Sequence, residues 1–296
     1  RIKNLYYKRM LDSKILFATT TRNPSRKFVK SIEKIYDIGM KFSQFKILII
    51  ESDSSEKYHA YLNNFLGNEN IKIIKLGNLK SQIENGELRT ARIAFARNKY
   101  LEYLNESEEY QTYDYLMIFD SDGISNLISF NQIVKAININ EDWSAQFPNQ
   151  LIYYYDIYAL RSENWVEENY KITREKYLSA GFSPKQAVLK SLSNKIVHIK
   201  KNNGLIPVQS AFGGFGIYKI SRIGNSKYLG VKNGNSECEH ISFNSEINKN
   251  YPGTLFINPK LISGTGFPDK TFRSKILMNI IPSFIFTFLY KIFKEK

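Results

Sequence analysis

Short apolar runs alternate with amphipathic segments along the first half of the chain, and this alternation constrains the fold more than any other feature. The runs have the length of buried strands, and the segments between them carry apolar residues at helical spacing, as Phe28, Ile32 and Ile35 do. Buried parallel strands joined by helical crossovers produce this pattern. We therefore predict an α/β, Rossmann-like fold in which helices flank a mixed central sheet.

The predicted strands are residues 14–20, 46–50, 71–76, 113–119 and 255–257, with two more around a glycine-rich bend in 207–219. The predicted helices are 26–40, one carrying residues 58–65, 89–104, 130–137 and one that starts at 237.

The composition of the chain changes near residue 265. Residues 1–265 are predicted to form one domain, into which a polar helical segment at about 162–195 is inserted. Residues 266–296 are basic and apolar, and Pro282 interrupts an apolar run that is too short for a spanning helix of ~20 residues. Flanking lysines favour an amphipathic helical tail that lies on an anionic membrane surface. An ordinary terminal helix packed on the domain is the alternative.

The expected location depends on this tail and on the first residues. The chain begins at Arg1 and shows no apolar signal-peptide core, so a targeting segment is absent or has been trimmed. We expect a peripheral protein on the cytoplasmic face of a membrane, or a protein of a Golgi-type lumen if an N-terminal anchor was trimmed.

The chain is strongly basic, with 42 Lys and Arg against 28 Asp and Glu, a formal net charge of +14. Such a surface attracts polyanions, which include nucleic acid, anionic lipid headgroups and phosphorylated small molecules. The basic residues are spread along the chain and form no known nucleic-acid-binding pattern, so we expect no nucleic acid partner. The single cysteine, Cys238, excludes an internal disulfide, a Cys-rich zinc site and a CxxC redox pair.

The sequence Asp120-Ser121-Asp122 directly follows the apolar run YLMIF. Ligands bind at the ends of strands in open α/β sheets. Two carboxylates two residues apart at a turn can both reach one Mn²⁺ or Mg²⁺ ion, which would keep positions open for diphosphate oxygens. A simple turn is the alternative, since Asp, Ser and Gly are common turn residues.

This arrangement of a strand, an aspartate, any residue and a second aspartate resembles the DxD site of GT-A glycosyltransferases. Four further segments, taken in their order along the chain, resemble the fungal capsule-associated α-1,3-mannosyltransferase family. They are Arg92-Ile-Ala-Phe-Ala-Arg97-Asn98, Tyr154-Tyr-Asp-Ile-Tyr-Ala-Leu-Arg161, Val208-Gln-Ser-Ala-Phe-Gly-Gly-Phe-Gly-Ile-Tyr218 and Glu237-Cys-Glu-His240. The family commonly has Asn-Asp where Asp120-Ser-Asp122 stands, and Trp-Asn where Phe212-Gly213 stands, so the sugar and the acceptor do not follow from the resemblance.

The resemblance implies a GT-A-like domain and a metal-dependent enzyme that transfers a hexose from a nucleotide diphosphate sugar. The donor would be UDP- or GDP-linked, the acceptor a glycan or a lipid-linked molecule, and the cofactor Mn²⁺ or Mg²⁺. It also implies that His240 completes the metal shell begun by Asp120 and Asp122, with a surface histidine as the alternative. A base is needed if the transfer inverts configuration, and the candidate carboxylates are Glu239, Glu237 and Asp156.

The remaining candidate residues would bind the donor. Thr19, Thr20, Thr21 and Arg22 follow the first strand and could contact the base or the ribose. Glu51 and Asp53 end the second strand and could accept hydrogen bonds from the ribose or the base, although helix capping is an equal alternative. Arg97 is expected to pair with the diphosphate, and Ser121 to lie beside it. Gly213 and Gly214 would allow a close approach to the sugar, or form a plain bend.

Two other functions use the same features. A metal-dependent nucleotidyltransferase would employ Asp120 and Asp122 in the same way. A basic nucleic-acid-binding protein would account for the charge and the abundant aromatic residues. A noncatalytic sugar-binding protein at a membrane is a third alternative, and it predicts that replacing Asp122 leaves ligand binding intact.

Overall fold

A computed structural model describes residues 12–265, and its centre is an eight-stranded mixed sheet with the strand order β3-β2-β1-β4-β7-β5-β10-β6. β1 to β4 run parallel to one another, whereas β7 is antiparallel to both of its neighbours. β8 and β9 form a separate small hairpin. The strands are β1 Lys14–Thr21, β2 Gln44–Glu51, β3 Ile71–Lys75, β4 Tyr115–Phe119, β5 Ala145–Asn149, β6 Ile206–Pro207, β7 Phe215–Lys219, β8 Val231–Lys232, β9 Asn235–Ser236 and β10 Leu255–Ile262.

Helices cover both faces of the sheet. They are α1 Arg26–Gly39, α2 Ala60–Asn63, α3 Arg89–Glu106, α4 Glu108–Gln111, α5 Phe130–Ile137, α6 Tyr170–Ser179, α7 Pro184–Ser191 and α8 Glu239–Asn250. Successive side chains of a strand point to opposite faces, so β1 directs Leu16 into one core and Phe17 into the other. Residues of α3 and α8 belong to the first core, and residues of α1 and α5 to the second.

The strand order places a ligand-binding crevice between β1 and β4. The chain runs from β1 outward to β3 and then returns to the other side of β1 to form β4. The carboxyl ends of two neighbouring parallel strands therefore open apart at this switch point, where ligands of open α/β sheets bind. Thr21 ends β1 and Asp120 follows β4 at this edge.

The predicted fold class, a mixed central sheet flanked by helices, is confirmed. The insertion expected at about 162–195 contains α6 and α7, two short helices on a polar stretch. The helix expected around residues 58–65 is reduced to a 3₁₀ turn and the four residues of α2. Within residues 12–265 no helix is long and apolar enough to cross a bilayer. The tail at 266–296, predicted to associate with a membrane, lies outside the described residues.

Candidate active site

A cavity of about 480 Å³, here called the central cavity, opens at the switch point between β1 and β4. The loop after β1, the start of α1, one side of α3 and the start of α8 form its walls. Most of the residues predicted for the site meet here, although they come from six separate stretches of the chain. These are Thr20, Thr21, Arg22, Asp53, Arg97, Asp120, Ser121, Asp122, Asp156, Glu239 and His240.

The two aspartates of the DxD-like sequence stand at the end of β4. The Asp120 amide donates to the carbonyl oxygen of Gly214 at 2.9 Å, which ties the end of β4 to the turn before β7. The Asp122 carboxylate accepts from the amide of Ile124 at 3.1 Å, and Gly123 has a φ of 94°. The segment is therefore a turn, and both aspartates also line the central cavity. Their binding of one metal ion stays a prediction.

The glycine pair Gly213-Gly214 supports this turn from behind. Both residues have positive φ values, 66° and 84°, which side-chain-bearing residues rarely adopt. A Cβ on Gly214 would lie 2.7 Å from Cγ2 of Ile124. The pair is not among the residues that line the central cavity, so its approach to a donor sugar stays a prediction. Its observed contacts are with the neighbouring turn, where a Cβ has little room.

Arg97 is the centre of the charged groups in the cavity. Its side chain is 4% exposed. Its Nε donates to Glu239 at 3.0 Å and its Nη2 to Asp120 at 3.3 Å. Its guanidinium also lies 5.0 Å from the centre of the Phe212 ring. The predicted pairing of Arg97 with a diphosphate stays a prediction, while the contacts present make it the link between α3, β4 and α8.

Neighbouring carboxylates disfavour the ionised forms of Asp120 and Asp156. Burial is the main cause that raises the pKa of Asp120 to about 7. Arg97 opposes this rise, and the charges of Asp122, Glu239 and Asp156 add to it. A cation in the cavity would reverse the balance, because it favours the ionised carboxylate.

A backbone hydrogen bond fixes the position of the Asp156 carboxylate, and its raised pKa makes it more basic than an ordinary aspartate. Its Oδ2 accepts from the amide of Gly213 at 2.8 Å. The pKa of Asp156 is raised, chiefly by burial, while the hydrogen bonds from the backbone of Gly213 and Ala159 act against the rise. A partly buried carboxylate with a raised pKa that lines a cavity is suited to accept a proton.

His240 lies at the inner end of the cavity and is 2% exposed. Its ring stacks on Phe212 with the ring centres 3.7 Å apart, and neither ring nitrogen has a hydrogen-bond partner. Burial lowers the pKa of His240 far below the usual value, and Arg97 lowers it further. The imidazole is therefore neutral, which is the form that binds metals.

The residues partly fit a divalent cation. Among residues 12–265 no three His, Cys, Asp or Glu side chains stand together as a ready-made metal site. Mg²⁺ and similar ions at nucleotide sites need only one or two carboxylates, with ligand phosphates and water completing the shell. Asp120 and Asp122 provide such a pair on the cavity wall, and repulsion from Asp122 at Asp120 is what a cation would relieve. The participation of His240 stays a prediction.

Three other predicted residues do not line the central cavity. Thr19 is fully buried within β1. Glu51 is buried at the end of β2, where its carboxylate accepts from the amide of Ser54 at 3.1 Å. Glu237 accepts from Nη2 of Arg161 at 2.6 Å, so its charge is neutralised in an ion pair away from the cavity. The structure gives Glu237 a structural contact and does not bring it to the other candidate bases.

Arg89 and Arg92 of α3 are not among the predicted site residues, yet both line the central cavity. Nε of Arg92 lies 3.4 Å from the carboxylate of Asp53, which has a φ of 58°. The spacing of three arginines along α3, together with the start of this helix near the carboxyl ends of the strands, is the signal that could have identified them.

A side cavity of about 420 Å³ adjoins the central one. The two share Arg22, Asp53 and Arg92 in their walls. Glu51 lines the side cavity together with His59, whose Nε2 is 3.8 Å from the Glu51 carboxylate. The two cavities lie side by side at the ends of β1 and β2, and together they are called the groove below.

Comparison with known proteins gives structural likeness only. No family model and no curated protein sequence matches the chain. The mannosyltransferase PcManGT from Pyrobaculum calidifontis, solved with GDP-Man and Mn²⁺, is 8% identical with a TM-score of 0.49 over 92% of this chain and 66% of that one. The chain thus spans just under two thirds of that protein.

Two further solved structures are similar at the same level. Glucosyl-3-phosphoglycerate synthase from Mycobacterium tuberculosis, solved with UDP, is 9% identical with a TM-score of 0.40, covering 85% of this chain and 69% of that one. Mannosyl-3-phosphoglycerate synthase from Rubrobacter xylanophilus is 10% identical with a TM-score of 0.45, covering 93% of this chain and 74% of that one.

Proposed function

We propose that the protein is a metal-dependent glycosyltransferase that moves a hexose from a nucleotide diphosphate sugar to an acceptor hydroxyl. One observation carries the proposal: the Asp120-Ser121-Asp122 turn at the end of β4 faces a polar groove that is also lined by arginines. Carboxylates alone would repel a diphosphate. Carboxylates that share a cation, beside arginines, would bind one.

The groove has room for both parts of such a donor. The nucleoside would occupy the side cavity, where Glu51 and Asp53 offer carboxylate oxygens to hydroxyl or N–H donors. The diphosphate would lie beside Arg92 and Arg22, which the two cavities share. The hexose would then reach the deeper part of the central cavity, next to Asp156.

Asp120 and Asp122 would hold Mn²⁺ or Mg²⁺ in the bound state. The ion supplies charge neutralisation for the departing diphosphate. Arg97 acts as a positioning residue, because it fixes the carboxylates of Asp120 and Glu239 on the cavity wall. The finer features, which include the hexose, a glycan or lipid-linked acceptor and a peripheral membrane contact through residues 266–296, also belong to this proposal.

In an inverting transfer, Asp156 is the base that we propose. The acceptor oxygen forms a bond to C1 of the hexose while the bond from C1 to the diphosphate oxygen breaks. The electron pair of that bond leaves with the nucleoside diphosphate, and the hydroxyl proton passes to Asp156. Asp156 suits this role better than Glu239, because the Glu239 carboxylate is already held by Nε of Arg97 at 3.0 Å.

Donor binding tests the proposal without knowledge of the acceptor. Thermal unfolding would be followed with UDP- and GDP-linked hexoses, with and without Mn²⁺, on the wild type, Asp122→Ala and Asp37→Ala. Asp37 is an exposed residue of α1 outside the cavities, so its replacement makes a matched control. We expect one donor class to raise the melting temperature only with Mn²⁺, in the wild type and the control alone. No shift with any nucleotide sugar would refute the proposal.

A further inference from the structure

A separate cavity of about 320 Å³, here called the lysine cavity, lies next to the central one. The two cavities share Asp122. The first turns of α1 contribute to both, since Phe28 lines the central cavity and Lys27, Lys30 and Lys34 line the other. This second space is not part of the groove that we assign to the donor.

The three lysines lie on one side of α1, because their spacing of three and four residues repeats close to the helical period. Within the described part of the chain, the lysines that form ion pairs are Lys46, Lys99 and Lys176. Lys27, Lys30 and Lys34 therefore have no carboxylate within ion-pair distance in residues 12–265. The lining holds three ammonium groups and one carboxylate, that of Asp122.

One of these three ammonium groups, that of Lys34, is partly removed from solvent. Its side chain is half-buried, and its Nζ donates to the carbonyl oxygen of Asn126. Burial lowers the pKa of Lys34. A partly desolvated cation without a counter-ion is unfavourable, and a bound anion would supply the missing negative charge.

The lysine cavity also borders the reacting groups. Tyr155 lines it, and the next residue, Asp156, lines the central cavity. A molecule bound among the lysines would therefore lie beside Asp122 and within one residue of the proposed base. An acceptor bound there would be close to a hexose held in the central cavity, because the two cavities share Asp122.

We propose that the lysine cavity binds the acceptor and that this acceptor carries a phosphate group, held by Lys27, Lys30 and Lys34. The part of this inference that calls the ligand an acceptor rests on the proposed function. Lysine ammonium groups suit phosphate as point charges, whereas a site for a neutral sugar is lined mainly by apolar, aromatic and uncharged polar groups. The volume suits a small phosphorylated group, because ligand cavities begin at about 300 Å³.

Binding of inorganic phosphate, followed by amide NMR shifts, tests the site directly. We expect saturable shifts at Gly123, Ser125 and Gly264, and an affinity about tenfold weaker in Lys27→Gln/Lys30→Gln. Both lysines are exposed, so the fold tolerates their replacement. The matched control is Lys185→Gln/Lys201→Gln, which removes two exposed lysines from elsewhere and should bind as the wild type does. Equal affinity in all three proteins, or shifts confined to the central cavity, would overturn the site.

Competition then identifies what carries the phosphate. Displacement of inorganic phosphate by glycerol 3-phosphate, and not by vesicles of phosphatidylcholine with phosphatidic acid, supports a soluble acceptor. Displacement by those vesicles, and not by pure phosphatidylcholine vesicles, supports a lipid-borne phosphate. Exclusion of both phosphate esters while inorganic phosphate binds would contradict an acceptor site.

The failure of this inference is distinguishable from the failure of the proposed function. The Lys27→Gln/Lys30→Gln variant keeps the groove intact, so its thermal shift with Mn²⁺ and the donor should equal that of the wild type. Donor binding without phosphate binding would overturn the lysine site alone. Phosphate binding at Gly123 and Ser125 without any donor binding would overturn the proposed glycosyltransferase function, while the inference of an anion site would stand.

Discussion

At the scale of single residues, Arg97 organises the site, because its buried guanidinium joins Asp120 and Glu239 on the wall of the central cavity. Burying one charge is costly unless opposite charges accompany it. The arrangement therefore stabilises the fold and fixes the position of both carboxylates. The ion pair between Arg97 and Glu239 links residues 142 positions apart, which no local sequence pattern could predict.

The Arg97→Met variant should be strongly destabilised. It leaves the Asp120 and Glu239 carboxylates without their cation, and the loss of one partner of a buried pair costs about 3–5 kcal/mol. Urea unfolding measures this difference. Arg174→Met provides the control, because Arg174 pairs with Glu175 on the surface and its loss should change the free energy of unfolding by under about 1 kcal/mol. A similar small loss in both variants would contradict the role of Arg97.

Because the pKa of Asp120 is raised, the stability of the metal-free protein should depend on pH. The folded state binds the Asp120 proton more tightly than the unfolded state, so stability falls as the pH rises from about 4 to about 7. The Asp120→Asn variant has no titrating group at this position, so its free energy of unfolding should fall less over that range than that of the wild type. Melting temperatures measured across the range, with Asp37→Asn as the control, test the difference. Parallel curves for the wild type and Asp120→Asn would show that Asp120 has an ordinary pKa.

Replacement of the proposed base should separate chemistry from binding. We expect Asp156→Asn to lower kcat by about 10²–10⁴-fold, the range typical of a lost general base. The donor-induced thermal shift with Mn²⁺ should persist, because the neutral side chain still accepts from the amide of Gly213. Asp142→Asn, at an exposed ion pair with Arg222, is the matched control. Full activity in Asp156→Asn would exclude this residue as the base.

At the scale of elements, two turns determine the positions of Asp120 and Asp122, the carboxylates that we propose bind the metal. The turn after β4 carries Asp120 and Asp122, and the Gly213-Gly214 turn before β7 holds it in place. β4 and β7 pair antiparallel from Tyr115 opposite Lys219 to Phe119 opposite Phe215. The strands thus bring together two turns that are far apart in the sequence.

The Gly214→Ala variant tests this contact between the turns. Gly181 has nearly the same backbone angle, 83° against 84°, but a Cβ there would meet nothing within 4 Å. Gly181→Ala should therefore show only the backbone cost of about 1 kcal/mol. Gly214→Ala adds a clash with Ile124, so we expect about 1–3 kcal/mol more and weaker donor binding. Equal losses in urea unfolding would show that the close approach does not matter.

At the scale of the whole molecule, the sequence predicted the sheet better than the site. The apolar runs located β1 to β4 nearly to the residue, since buried strands have a strong local signal. Strand order decides which loops meet, and the loops that meet form the side cavity and the lysine cavity. It also decides which residue Glu237 contacts. The segment of α2 carried a helical pattern but forms a single turn. Tertiary packing overrode local propensity there.

The predicted site residues divide in the same way. Asp120, Asp122 and Arg97 could be found, because each lies at the end of a strand or on a helix that faces the crevice. Gly213 and Gly214 were correctly marked as a special backbone position, yet the sequence could not tell whether a ligand or Ile124 occupies the space beside them. Arg92 begins a segment that resembles the family, but its contact with Asp53, on a different element, could not be predicted from that pattern.

The products formed in the presence of Mn²⁺ distinguish glycosyl transfer from nucleotidyl transfer. The protein would be incubated with UDP- and GDP-linked hexoses, and in parallel with nucleoside triphosphates and hexose 1-phosphates. A glycosyltransferase releases UDP or GDP from one nucleotide sugar, and this release should disappear without metal and in Asp122→Ala. Pyrophosphate release from a nucleoside triphosphate, with nucleotide sugars left intact, would contradict glycosyl transfer and identify a nucleotidyltransferase instead.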